Sequence, residues 1–197
     1  NLFFDNLIIS NSNLFIVNDS IQYSIDINNL NLNEIKKNID GVSFDILNFD
    51  GAIDNYSIDR FDGKFELNND KVTVKSFYLS ETNQYLEGDL DFYLNEDLSI
   101  NNFNDSNIRF NLNSKVFKLN ENISSNFVSG EINFSGSENN LSIDKASIIT
   151  DFFNLDSKID IKNVLSSSPN VIVDLKNLDF NKENINSKYQ LDDMINY

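Results

Sequence analysis

The 197 residues include no cysteine, no histidine and no tryptophan, one proline (Pro169) and six glycines. Without cysteine there is no disulfide, no thiolate nucleophile and no cysteine-based metal site. Without histidine the commonest general base and transition-metal ligand is missing, and with it most triad-type chemistry and the usual zinc sites. Positive charge is scarce too: 15 Lys and Arg stand against 31 Asp and Glu, a net charge of −16. Such a field repels phosphate backbones and anionic headgroups, so no nucleic-acid partner and no polybasic membrane attachment are expected. Long apolar runs are also absent. The opening NLFFDNLII is interrupted at Asp5 and Asn6, too soon for a signal peptide or a membrane span. It reads as a strand entered midway, and the chain as an internal segment of a longer one.

What remains is 40% apolar, near the globular range, and rich in Asn (36 residues), Ile, Phe and Asp. So much Asn fits an AT-rich coding sequence, and single asparagines are therefore not read as functional. The six sequons, at Asn18, Asn55, Asn104, Asn122, Asn133 and Asn140, would matter only in a eukaryotic secretory protein.

Two patterns recur. Four segments have the form apolar, polar, Gly, any, apolar, polar: FDGAID at Gly51, FDGKFE at Gly63, LEGDLD at Gly88 and VSGEIN at Gly130. In each the glycine occupies an apolar-side position of an alternating strand, where it packs nothing, so its repetition marks a bulge, a bend or room for something else. The second pattern is Φ x Φ x x Φ x Φ, complete in VTVKSFYL (Val72 to Leu79), IDINNLNL (Ile25 to Leu32), LSIDKASI (Leu141 to Ile148) and VDLKNLDF (Val173 to Phe180). Partial copies are FDILNF (Phe44 to Phe49) and LSINNF (Leu98 to Phe103). One extra residue at the break returns the second apolar pair to the face of the first, which is what a β-bulge does. A helical reading is disfavoured by the Asn, Asp, Val, Ile and Phe content and by the turn clusters NND, SETNQ, NED and SENN that close the segments.

A gap-free shift of 69 residues places Val72, Val74, Phe77, Leu79, Leu86, Leu90 and Phe92 on Leu141, Ile143, Ala146, Ile148, Leu155, Ile159 and Ile161, with Gly88 on Ser157. The repeating unit is a bulged strand, a turn, and a strand with a small residue on its apolar face. The glycine strands are spaced 12, 25 and 42 residues apart, too unevenly for a solenoid with a fixed rung. The expectation is an all-β segment spanning 1–197, about a dozen strands of roughly 5 to 10 residues each, with a pause at 164–170. The one helix candidate is a single turn at Leu32 to Asn38; the tail Ser187 to Tyr197 is ambiguous.

A repeated one-faced sheet hides its apolar face under a second sheet, by closing into a barrel, or under a helix; no amphipathic helix of useful length is present. A β-sandwich, a closed barrel or a solenoid remains, beside a fourth solution, a mainly antiparallel sheet curled into an elongated groove around a ligand; alternation alone fits all of them. Carboxylate pairs such as Asp89 with Asp91, or Asp45 with Asp50, read as a solvated outer face, because Leu90 and Phe92 take the opposite side. Calcium would find oxygen ligands in the turns, but no EF-hand or RTX-type spacing occurs. No catalytic residue, cofactor or metal site is assigned.

The segments Leu7 to Leu32, Phe61 to Leu94 and Asn140 to Ile161, bulged strands alternating with glycine strands, resemble the TamB and AsmA-like proteins of the diderm bacterial envelope, in particular a TamB-type protein of the Bacteroidota. Ser157 departs from the glycine pattern, and nothing matches the family's membrane anchor or C-terminal domain. The resemblance implies a periplasmic β-groove (a β-taco) anchored in the inner membrane through regions outside this segment. That groove would carry phospholipid acyl chains toward the outer membrane or assist outer-membrane assembly, where an outer-membrane barrel assembly protein would be a partner through other regions. Phe65, Leu67, Val72, Val74, Phe77, Leu79, Leu86, Leu90, Phe92, Leu141, Ile143, Leu155, Ile159 and Ile161 would line it, and Gly51, Gly63, Gly88 and Gly130 would let the sheet curl. A structural or adhesive β-repeat module of a surface protein, with a dry core, is the alternative function.

Overall fold

A computed structural model describes residues 2–18, 21–54, 56–95, 100–113, 127–137, 139–164 and 168–181. Among them the regular structure is strand alone: β1 (Leu2–Asn18), β2 (Ile21–Lys37), β3 (Gly41–Ile53), β4 (Tyr56–Asn68), β5 (Lys71–Glu81), β6 (Gln84–Leu94), β7 (Ile100–Asn113), β8 (Phe127–Ser137), β9 (Asn140–Thr150), β10 (Phe153–Lys162) and β11 (Asn170–Phe180). Hydrogen-bonded neighbours follow chain order in one antiparallel sheet. The chain divides into two compact units, Asn1–Ile108 and Arg109–Tyr197. The pause at Val164 to Asn170 falls inside the second unit, between β10 and β11. The tail from Ser187, and most of the NED cluster, lie outside the described residues.

The eleven strands are 10 to 17 residues long, beyond the 5 to 10 expected from sequence. The breaks in the apolar pattern are the reason, because each is a bulge within a continuing strand. In all four complete copies the ladder skips one residue where the pattern breaks. Val74 faces Leu90 and Phe77 faces Gly88, so Lys75 and Ser76 share one opposing residue. Ile27 and Asn29 face Gly51 and Asp50, leaving Asn28 over. Ile143 and Ala146 face Ile159 and Ser157. Leu175 and Asn177 face Ser157 and Asp156. Ser76 takes the left-handed backbone (φ +51°) that a bulge of this kind favours.

The helical turn expected at Leu32 to Asn38 is not formed, since β2 runs on to Lys37. At the three-residue step from Leu32 to Ile35 lies a further bulge, with Glu34 at φ +51°. Leu32 and Ile35 pair with Leu7 and Phe4 of β1 in one unbroken register, and the bulge shows against β3, where Asn33 and Lys36 face Asp45 and Ser43.

Turns lie where polar clusters predicted them. Asn69 (φ +53°) turns β4 into β5, and Thr82 (φ +55°) turns β5 into β6. Left-handed geometry is best tolerated by Asn among non-glycine residues, which fits the NND cluster.

Burial is sparse. In the first unit Ile27, Phe49 and Ile58 form a buried cluster, with Ile9, Ile25, Leu30, Ile46, Phe61 and Leu79 packed against it. Val74 and Phe77 are also buried there. Val128, Ala146 and Phe152 are the buried apolar residues described in the second unit. Among the described residues the close backbone-to-backbone approaches between strands are those of neighbours in chain order.

Candidate functional site

Directly opposed residues of an antiparallel ladder point to the same side, so the registers show which side chains form rows across the strands. In the first unit one row runs Val42, Leu67, Val72, Phe92 and a second Phe44, Phe65, Val74, Leu90. A third runs Ile9, Leu30, Phe49, Phe61, Leu79, Leu86. Aromatic contacts reinforce them: Phe44 and Phe65 stack with centroids 5.4 Å apart, and Phe61 meets Phe65 edge-on at 5.8 Å. In the second unit the rows are Phe134, Ile143, Ile159, Val173; Gly136, Leu141, Ile161, Val171; and Gly130, Ile148, Leu155, Leu178.

All fourteen lining residues expected from sequence fall on such rows or, for Phe77, opposite Gly88 on the same face. Their exposure differs. Val74 and Phe77 are buried at 6% and 7%, Leu67 is exposed, and the other eleven are half-buried. Also on these rows, and not named from sequence, are Ile9, Leu30, Val42, Phe44, Phe49 and Phe61 in the first unit and Phe134, Ile148, Val171, Val173 and Leu178 in the second. The signal was available in FDILNF, whose bulge at Leu47 and Asn48 shifts the register between Ile46 and Phe49.

The glycines do not leave empty space. A Cβ at Gly88 (φ +153°) would stand 2.0 Å from the Asn107 carbonyl oxygen, and one at Gly51 would stand 2.0 Å from that of Asp26. Neighbouring backbone fills the volume, so these positions serve close strand approach and not ligand room. At Gly63 a Cβ would come within 3.1 Å of both Cα and Cβ of Phe77. Phe77 therefore sits between two glycines, Gly63 and Gly88. In the other repeat the equivalent pair is Ala146 opposite Ser157, both buried. One large side chain against none has been exchanged for two small ones, at the cost of a buried Ser157 hydroxyl without a hydrogen-bond partner among the described residues.

The opposite face is polar and fixes the bulges. The Ser76 N–H, turned away from the ladder by its positive φ, donates to Asp89 Oδ1 at 2.7 Å. Asn28 Nδ2 at another bulge donates to Asp50 Oδ1 at 3.0 Å. Asp91 pairs with Lys71 at 2.9 Å, Asp45 with Lys64 at 3.4 Å, Glu131 with Lys145 at 2.9 Å and Asp144 with Lys158 at 3.1 Å. The bond to Asp91 raises the Lys71 pKa, and the bond to Asp144 raises that of Lys158. The bond from Lys36 lowers that of Glu34. The carboxylates Asp45, Asp50, Asp89 and Asp91 are thus each held by a cation, an amide or a backbone N–H. No group of three or more Asp, Glu, His or Cys that could hold a metal ion occurs among the described residues.

Each unit thus presents an apolar face, built of cross-strand rows and largely half-buried, opposite a charged face. No protein-family model matches the chain, and no curated protein or solved structure matches it either.

Proposed function

We propose that the chain is a non-enzymatic segment of a periplasmic lipid-transport groove, of the kind implied by its resemblance to TamB and AsmA-like proteins, and that its apolar face holds phospholipid acyl chains. The observation that carries this reading is that the cross-strand apolar rows stay largely half-exposed in each unit. Soluble proteins seldom leave large contiguous apolar surface uncovered unless it binds something. The mechanism is partition. Each acyl CH₂ moved from water onto such a face gains about 0.8 kcal/mol, so rows of Leu, Ile, Val and Phe retain a chain without any headgroup contact. Acidic residues on the other face keep the segment soluble and face away from the lipid. Transfer toward the outer membrane, or support of outer-membrane assembly, follows if further segments extend the face, and anchoring and barrel partners belong to those segments.

Native mass spectrometry of the purified 197-residue chain, released from mild detergent, tests the proposal. Adducts at phospholipid masses are expected. A clean apo spectrum, with exogenous phospholipid also failing to bind, would overturn it in favour of a structural or adhesive module.

A further inference from the structure

The apolar face of the first unit carries charge at both ends. Lys37 faces Leu2 on one side and Val42 on the other, so the row Val42, Leu67, Val72, Phe92 continues through a lysine. At the far end of the rows Glu81, opposite Gln84, follows Leu79 and Leu86 on the same side. These are the two charged side chains that β1 to β6 place on that face. Every other Asp, Glu, Lys and Arg of those strands stands on the opposite side or at a bulge.

Lys37 is not held by an ion pair. It is exposed, and among the described residues no carboxylate pairs with it, whereas its neighbour Lys36, on the other side of β2, pairs with Glu34 at 3.0 Å. A lysine at the border of an apolar surface lays its methylene stem along that surface and keeps its ammonium in water. The ammonium is then offered to an anionic group whose attached apolar body lies on the rows, and Glu81 at the other border repels the same group. The face between the borders is long enough for an acyl chain. From Lys37 through Ile35 and Leu32 to Leu30, β2 runs seven residues, about 23 Å, against about 15 Å for the hydrocarbon of one leaflet, half of a bilayer core.

We propose that Lys37 binds the phosphate of a phospholipid whose acyl chains lie along the rows toward Glu81. The two charges give the site a direction: phosphate at the end of the β2–β3 turn, chain ends toward the β5–β6 turn. The inference rests on the proposed lipid face and adds to it the polar group recognised and the orientation in which the lipid lies.

The test titrates the whole 197-residue chain, by calorimetry, with three probes: dioctanoyl phosphatidylcholine, dioctanoylglycerol, which has the same chains and no phosphate, and inorganic phosphate. Lys37→Gln is expected to weaken binding of the phosphatidylcholine by about three- to tenfold and to leave binding of the diacylglycerol unchanged. Lys37→Arg is expected to restore the phosphatidylcholine affinity. Lys36→Gln makes the same change of charge on the opposite side of the strand and is expected to leave both affinities as in the parent. Inorganic phosphate, without chains to lie on the rows, is expected not to bind. Circular dichroism spectra of the three variants are expected to match the parent, since both lysines are exposed. Phosphatidylcholine binding that is indifferent to Lys37→Gln, an equal loss for the diacylglycerol, or an equal loss in Lys36→Gln would each overturn the Lys37 site while leaving the apolar face as a lipid surface. Failure of both lipids to bind the parent would overturn the lipid face and this site with it.

Discussion

Leu90→Asp separates an open apolar face from a covered one. Leu90 lies opposite Val74, flanked along its own strand by Gly88 and Phe92, and is half-buried. Complete burial of a leucine side chain contributes about 1.5–3 kcal/mol, so a half-buried one loses roughly 1–1.5 kcal/mol when replaced by a side chain that keeps its charge in water. If a second layer covered the site, truncation would cost about 2–5 kcal/mol. A buried unpaired carboxylate would add several kcal/mol more, which is enough to unfold a domain of ordinary stability. Urea denaturation followed by circular dichroism measures the difference. The expected result is a folded protein destabilised by about 1–2 kcal/mol; a loss above about 4 kcal/mol would refute the open face. Phe77→Asp calibrates the assay within the same sheet. Phe77 is only 7% exposed, between Gly63 and Gly88, so its replacement is expected to cost more than about 3–5 kcal/mol. From sequence the two sites are equivalent, and the structure separates them. If the face holds acyl chains, folded Leu90→Asp should also retain about tenfold less phospholipid, the equivalent of roughly 1.4 kcal/mol.

Two further outcomes follow from the geometry. Gly88→Ala should lower stability by at least about 1–3 kcal/mol, since its Cβ meets a carbonyl in a backbone conformation strained for any L residue; Ser157→Ala at the equivalent position should be neutral or stabilising, because it removes an unpartnered buried hydroxyl, and equal losses in thermal melts would contradict the close-approach account. The Lys71–Asp91 pair should matter below the lysine range and fade above it: the folded pKa is raised from 10.5, so its contribution is complete below that value and is lost as pH climbs through the folded one. The stability gap between the parent and Lys71→Gln should therefore hold from neutral pH to about pH 10 and then close, and a gap that widened with alkalinity would refute the sign.

The bulges were legible because the break in the apolar spacing is a local consequence of one extra backbone residue, and all four complete copies, from Ile25 to Leu32 through Val173 to Phe180, show the register shift they implied. The helical turn expected at Leu32 to Asn38 is instead strand, because Ile35 and Leu32 pair with Phe4 and Leu7 of β1. The β3 rows were undervalued because FDILNF is a partial copy, although its neighbours β2 and β4 fix the register of Phe49.

Alternation and turn chemistry in the sequence by themselves determined the strand class, the face to which each side chain belongs and the placement of small residues opposite bulges, because a period of two and an inserted residue act over a few peptide units. Whether that face is covered could not be read there, since an enclosed core and an open surface require the same alternation. The tertiary structure decided that most of the apolar rows are only half-buried, that Phe77 is enclosed while Leu90 is not, and that the glycines are filled by neighbouring backbone, because burial depends on which distant strand approaches and how closely.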